Sequence, residues 1–175
     1  VDKIILGQHF IYDKEKKLKV FGKKEFLDDE IIMYGKYIEK AIELGIPNII
    51  AHPDIYMLNR EHFGEVESKV ANLICKNAQR KNIPLEINLN NVFINTYYKN
   101  KKLNYDSKKI QRERMKQVFY PCKDFWNIVS KYNIKVLYGI DAHHRGQIQL
   151  FNKLVELANE KIGLEIIRKL NFLEK

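Results

Sequence analysis

The residue types that could do chemistry in this chain fall at the ends of its predicted strands. His9 and His52 each close a short apolar run, and Asp141 and His143 follow another run with one residue between them. Imidazole and carboxylate groups together bind divalent transition metals such as Zn, Mn and Fe. Residues at i and i+2 beyond a strand can turn both side chains toward one ligand. The four residues therefore predict a metal site.

A metal at this position would supply a specific chemistry. A bound ion lowers the pKa of a coordinated water and produces hydroxide near neutral pH, and several ions together hold the attacking and leaving oxygens. Glu86 and Asn88 share one face of a predicted strand and are expected to orient the ligands by hydrogen bonding. His144 and Arg145 follow the Asp-x-His pair directly and are candidates for contact with an anionic substrate.

Each of these residues also has a purely structural interpretation. His52 stands before two turn-forming residues, and Asp141 could cap the helix that follows it. The neighbouring polar side chains could satisfy backbone groups of loops. The joint occurrence of His, Asp and Glu at one edge favours metal binding or catalysis over four separate structural roles.

The elements that would position these residues alternate along the chain. Predicted strands cover residues 3–10, 48–51, 84–89 and 135–140. Predicted helices cover residues 28–44, 63–81 and 148–170, and a further one starts at 119 or 124 and runs to 132. Residues 13–24 are predicted to be a loop or a short hairpin, and 90–109 a long polar connection. This order predicts an α/β fold with parallel strands covered by helices. Such folds build their sites at the carboxyl ends of the strands.

The composition limits the class of protein. A chain of 175 residues with 45% hydrophobic and 30% charged residues fits one globular domain and excludes a largely disordered chain. It contains no run of about 18 apolar residues, so no membrane-spanning helix is predicted. Two cysteines, Cys75 and Cys122, cannot form a disulfide framework, which favours a reducing, cytoplasmic setting.

The net charge of +9 raises the question of nucleic-acid binding. Only six of the 31 basic residues are Arg, and the Lys residues are spread along the chain. This dispersion favours a compositional bias toward solvated Lys over the footprint of a nucleic-acid binder. The densest basic stretch, 99–114, includes or adjoins three tyrosines, so stacking on a single strand and attraction of an anionic substrate remain alternatives.

These residues resemble the PHP (polymerase and histidinol phosphatase) superfamily, and most closely its histidinol-phosphatase branch. Five stretches carry the resemblance, in the order and rough spacing of the family. They are Ile5–Phe10, Ala51–Asp54, Leu85–Asn88, Tyr120–Pro121 and Gly139–His143. Each stretch alone is a weak signal, but the five together are fairly specific and cover nearly the whole chain.

The resemblance implies a distorted TIM-like (β/α)7 barrel, of which residues 1–175 would form about four β-α units in a single domain. It implies up to three Zn, Mn or Fe ions, with His9, His52, Asp141 and His143 among their ligands. The implied reaction is hydrolysis of a phosphomonoester by metal-bound hydroxide, without a nucleophile from the protein. For this branch of the family the implied substrate is L-histidinol phosphate, an intermediate of histidine biosynthesis.

The chain departs from the family pattern at its beginning. The family opens with a His-x-His motif, further His ligands and a metal-bridging Glu, and this sequence has none of them before His9. Ile140 stands where the family usually has Ser. The chain is therefore expected to be the C-terminal part of the domain, partnered by the missing half or by a second copy. Two other hypotheses stay open, a PHP-type nuclease or proofreading module and a non-catalytic half-barrel.

Overall fold

The fold is built on a parallel sheet, as the alternating sequence pattern predicts. The computed structural model describes residues 3–21, 26–98, 120–143 and 145–173. The sheet contains, in spatial order, β1 (Ile5–Leu6), β4 (Ile49–Ile50), β5 (Leu85–Asn88), β6 (Lys135–Gly139) and β7 (Asn171–Phe172). A separate antiparallel hairpin of β2 (Phe10–Tyr12) and β3 (Leu18–Val20) follows β1. The α/β class with parallel strands is thereby confirmed.

The longer helices form one layer against this sheet. The helices are α1 (Asp28–Glu43), α2 (Glu65–Lys81), α3 (Asn90–Phe93), α4 (Lys123–Val129), α5 (Arg145–Gln149), α6 (Phe151–Ile162) and α7 (Leu164–Ile167), with a 3-10 turn over Ile55–Asn59 and a π-helical turn over Ile94–Tyr98. Helix α1 contacts α2, α2 contacts α4, and α4 contacts α6. Right-handed crossovers between sequential parallel strands place their helices on one face in this way.

The two longest helices begin with the same capping hydrogen bond. The carboxylates of Glu30 in α1 and Glu67 in α2 each accept the backbone N–H three residues earlier, at 2.8 and 2.9 Å. Each bond satisfies an amide just before its helix, at an end where backbone N–H groups lack helical partners. Helix α2 ends at Lys81, as the sequence predicts, and the residue that follows, Asn82, has a left-handed φ of 53°. The apolar face of α1 is fully buried through Ile31, Tyr34, Ile38 and Ile42.

The structure corrects three predicted extents and adds one strand. The predicted strand over 3–10 keeps only two residues in the sheet, because the chain leaves the sheet at Gly7. Residues 90–98, predicted as part of a polar loop, are helical, and residues 99–119 lie outside the described part of the chain. The predicted helix over 148–170 is interrupted at Gly163, where φ is 101°. Strand β7 is an additional fifth strand, whose two residues are too short to show a periodic pattern.

The sheet has two free edges in the described part of the chain, at β1 and at β7. Ile4 and Ile5 beside the β1 edge are 44% and 62% exposed. Closure into a TIM-like barrel is therefore not shown by these residues. None of the described helices is long and apolar enough to cross a membrane.

Candidate metal centre

His9 and His52 come together beyond the carboxyl ends of β1 and β4. Their ring centroids are 4.6 Å apart, with the ring planes tilted by 55°. Both Nε2 atoms lie 3.0 Å from the position that a Cβ on Gly7 would occupy. Only glycine at position 7 leaves this space between the two nitrogens open. Two imidazole nitrogens that face one open space are suited to binding a metal ion.

Burial gives His52 the protonation state that a metal ligand needs. Burial lowers the pKa of His52 to about 4, and the nearby His9 imidazole acts in the same direction. The His52 ring is therefore neutral at neutral pH, the form that coordinates metal. Its Nδ1 is buried and has no hydrogen-bond partner among the described residues. Its φ of 33° is left-handed, a conformation that is sparsely populated outside glycine and concentrates at functional sites.

Glu86 and Asn88 lie on one face of β5 and fix the loop that carries His52. Glu86 Oε2 accepts the backbone N–H of His52 at 3.1 Å and the side-chain N–H of Asn88 at 3.0 Å. The Glu86 carboxylate lies over Gly139 of β6, where an added Cβ would be 1.5 Å from Oε1. Burial raises the pKa of Glu86, and the nearby Asp141 carboxylate adds to this shift. Glu86 thus contacts the backbone of one candidate ligand, as an orienting role requires.

Asp141 and His143 lie on the loop after β6 and are joined to the first residues of α3 and to α5 through side-chain amides. Asp141 Oδ2 accepts a hydrogen bond from Asn90 Nδ2 at 3.3 Å. Asn90 Oδ1 accepts from Gln147 Nε2 at 3.1 Å, and Gln147 Oε1 accepts from the backbone N–H of His143 at 2.7 Å. Neither Asn90 nor Gln147 is indicated as a site residue by the sequence pattern.

The ring of His143 is held in one tautomer. Its Nδ1 lies 2.7 Å from the carbonyl oxygen of Asp141. A carbonyl oxygen only accepts hydrogen bonds, so we assign the proton to Nδ1 and the free lone pair to Nε2. Metal-binding histidines usually donate their second ring N–H to an acceptor of this kind. His143 is exposed, and its Nε2 is therefore prepared to accept a cation.

The candidate ligands form two neighbouring pairs. His9 lies with His52, and Asp141 lies with His143. Asp141 is close enough for its charge to affect the pKa values of both His52 and Glu86. Within residues 3–21, 26–98, 120–143 and 145–173, no group of three or more His, Cys, Asp or Glu side chains is arranged to hold a metal ion.

Of the two candidates for substrate contact, Arg145 lies within the described residues and His144 does not. Arg145 is exposed at the first residue of α5, directly after the Asp141–His143 loop. His144 lies outside the described residues, as does the basic stretch 99–114 on which the nucleic-acid alternative depends.

Asp54 is a site residue that sequence reasoning missed. It is fully buried, and its Oδ2 accepts the backbone N–H of Cys122 at 2.7 Å and the indole N–H of Trp126 at 3.1 Å. Burial raises its pKa to about 7 against the effect of these hydrogen bonds. Asp54 joins the His52 loop to the start of α4. The available signal was the His-Pro-Asp sequence, which also fits an ordinary turn.

Tyr120 is a second residue whose position only the structure shows. Its ring centroid is 6.4 Å from that of His52. Burial raises the pKa of Tyr120, and the carboxylates of Asp54, Asp141 and Glu86 raise it further. Its hydroxyl therefore keeps its proton at neutral pH and offers a hydrogen-bond donor beside the carboxylates.

Both thiols are expected to resist alkylation in the native protein. Cys75 is fully buried and Cys122 is 8% exposed, and burial raises the pKa of each to about 12. Since the thiolate is the reactive form, iodoacetamide at neutral pH should modify neither residue until the chain is unfolded. Mass spectrometry of native and urea-treated samples measures this. Rapid modification of Cys122 in the native protein would contradict its burial and indicate an accessible thiolate.

No protein-family model, no curated protein and no solved structure matches this chain. Membership of the PHP superfamily is accordingly a proposal. It depends on the five sequence stretches and on the geometry of the side chains that they contribute.

Proposed function

We propose that this chain forms part of a metal-dependent phosphoesterase of the PHP type that hydrolyses a small phosphomonoester. The observation that carries the proposal is the pair of Nε2 atoms, from His9 and His52, that face one open space above Gly7. The pair lies at the carboxyl edge of a parallel sheet, where α/β folds build their sites.

The residues present fit divalent transition metals. His9 and His52 would hold metal through Nε2, and Asp141 and His143 would hold metal through the carboxylate and the unprotonated Nε2. When bound, such ions supply a hydroxide near neutral pH and neutralise the charge of a phosphate. Their identity is proposed as Zn, Mn or Fe, because imidazole and carboxylate ligands suit these ions.

The remaining side chains have supporting roles in this proposal. Glu86 and Asn88 hold the backbone of His52 in place. Tyr120 offers a protonated hydroxyl that can donate to a phosphate oxygen or to a carboxylate. Arg145 is exposed next to the Asp141–His143 loop, and its guanidinium can bind a phosphate with two parallel hydrogen bonds.

The substrate that we propose, L-histidinol phosphate, comes from the resemblance to the histidinol-phosphatase branch. We also propose that additional chain, either a preceding half of the domain or a second copy, completes the site. The exposed Ile4 and Ile5 beside the β1 edge support this, because an open, apolar sheet edge favours pairing with another strand.

The test compares the parent protein with His52→Ala and with His62→Ala, a control at an exposed histidine that is not among the candidate ligands. Each is purified without a metal-affinity tag, and its metal is measured by plasma mass spectrometry. With the additional chain that completes the site present, we expect about two or three equivalents of metal and turnover of L-histidinol phosphate in the parent and in His62→Ala. We expect loss of both in His52→Ala, because the substitution removes a ligand.

The possible results separate the hypotheses. Turnover of other small phosphomonoesters alone would keep the reaction class and reject the substrate. Hydrolysis of nucleic acid alone would favour the nuclease hypothesis. Metal content that is equal in His52→Ala and His62→Ala would reject the site. Absence of both metal and turnover in the parent would favour a non-catalytic half-barrel.

A further inference from the structure

Asp141 and His143 belong to a closed ring of four hydrogen bonds that includes two side-chain amides. The His143 backbone N–H donates to Gln147, Gln147 donates to Asn90, and Asn90 donates to the Asp141 carboxylate. The ring closes where His143 Nδ1 donates to the carbonyl oxygen of Asp141. We call these four residues the amide ring.

Donation in the amide ring runs from His143 to Asp141 by two routes, one direct bond and one series of three bonds through Gln147 and Asn90. A backbone N–H can only donate and a carboxylate can only accept, so the two ends fix which amide atom is oxygen and which is nitrogen. Gln147 is fully buried, whereas Arg145, Gly146, Ile148 and Gln149 around it on α5 are exposed. Buried polar side chains in proteins are normally hydrogen-bonded. In the amide ring, Gln147 Oε1 accepts from His143 and Gln147 Nε2 donates to Asn90.

The amide ring is connected to the other pair of candidate ligands. The backbone N–H of Asn90 donates to Asn88 Oδ1 at 2.9 Å. Asn88 in turn donates to Glu86, which also accepts the backbone N–H of His52. A continuous path of hydrogen bonds therefore joins the loops after β4 and β6, and Asn90 is the residue where the path enters the ring.

The amide ring also holds an unfavourable backbone conformation. Asp141 has a φ of 44°, in the left-handed region that residues other than glycine rarely adopt. Such conformations persist where surrounding contacts determine them. Asp141 accepts two hydrogen bonds of the amide ring, one at its carboxylate and one at its carbonyl oxygen. They fix the direction of the carboxylate and the tautomer of His143 together.

We propose that Gln147 and Asn90 are positioning residues that set the Asp141 carboxylate and the His143 Nε2 for binding a divalent cation. The inference rests on the proposed metal site and goes beyond it, since neither residue would touch the cation. Loss of an outer hydrogen-bonding partner of this kind typically weakens metal affinity by about 10- to 100-fold. We expect that range for the loss of either amide.

The experiment uses the full chain and three variants. Gln147→Leu removes the bonds from His143 and to Asn90 at similar volume. Asn90→Ala removes the bonds from Gln147 and to Asp141, at a half-buried position where folding is less at risk. Gln149→Leu is the matched control, an exposed glutamine on the same helix. Two quantities are measured. One is the tautomer of His143 in the metal-free protein by long-range ¹⁵N–¹H NMR, and the other is Zn²⁺ affinity by competition with a chromogenic chelator.

We expect the parent and Gln149→Leu to show the Nδ1–H tautomer and equal Zn²⁺ affinity. Gln147→Leu and Asn90→Ala should lose the tautomer preference and bind Zn²⁺ about 10- to 100-fold more weakly. If Gln147→Leu does not fold, Asn90→Ala decides. An unchanged tautomer in the folded variants would overturn the inference, even with weaker Zn²⁺ binding, because a loss without reorientation is a general structural effect. If the parent binds no Zn²⁺ even with the additional chain that completes the site, the proposed function fails, and the tautomer still decides the positioning role.

Discussion

The Asp54→Ala variant is expected to be less stable than the parent by about 3 kcal/mol, a fall of roughly 10 °C in Tm for a chain of this size. The substitution leaves the backbone N–H of Cys122 and the indole N–H of Trp126 buried without an acceptor. Each unsatisfied buried donor costs about 1 to 3 kcal/mol. Part of this cost is offset, because a carboxylate whose pKa burial raises to about 7 is itself unfavourable in the folded state.

Two further variants separate this effect from the loss of any aspartate. Asp124→Ala removes an exposed carboxylate from the first turn of α4 and should change stability by less than about 1 kcal/mol. Asp54→Asn keeps an acceptor oxygen for both donors and should lie between the parent and Asp54→Ala. Thermal unfolding followed by circular dichroism measures all three. If Asp54→Ala melted within about 2 °C of Asp124→Ala, the two hydrogen bonds would not be holding the His52 loop to α4.

The proximity of the residues at the strand ends could be predicted from the sequence. His52 and Glu86 were predicted to meet because parallel strands end at one edge, and the structure joins them by a hydrogen bond of 3.1 Å. The reasoning needs only the strand order and the rule for parallel sheets. His9 was predicted to close a strand, yet it lies beyond β1 in the connection to the hairpin. It still meets His52, because this connection starts at the same edge.

The hydrogen bonds of the amide ring could not be predicted from the sequence. Asn90 fell inside a segment predicted to be a loop, and its partner Gln147 is 57 residues away. No local pattern links two amides at such a distance, since the link depends on how two loops pack. Asp54 presents the same difficulty, because its partner Trp126 is 72 residues away. The hydrophobic pattern of the sequence predicts where strands end. It does not predict hydrogen bonds between loops, because these depend on how distant segments pack.

The Gly139→Ala variant is expected to lose metal affinity by roughly 100-fold, although every candidate ligand is retained. A Cβ at position 139 would lie 1.5 Å from Glu86 Oε1, 2.3 Å from Cδ and 2.7 Å from Cγ, so the Glu86 side chain must move. This movement is costly, since the buried carboxylate is held by the backbone N–H of His52 and by Asn88. Once Glu86 moves, the backbone of His52 loses the contact that holds its left-handed conformation.

Gly146→Ala is the matched control for this prediction. A Cβ there meets nothing within 4 Å, and position 146 lies on α5, close in sequence to the Asp141–His143 loop. Alanine is favoured over glycine inside a helix, so this variant should match or slightly exceed the parent in stability and should bind Zn²⁺ equally well. Chelator competition gives the affinities, and the NMR signal of the His52 amide reports the bond to Glu86. Equal Zn²⁺ affinity in both glycine variants would show that Glu86 does not position His52 for the metal.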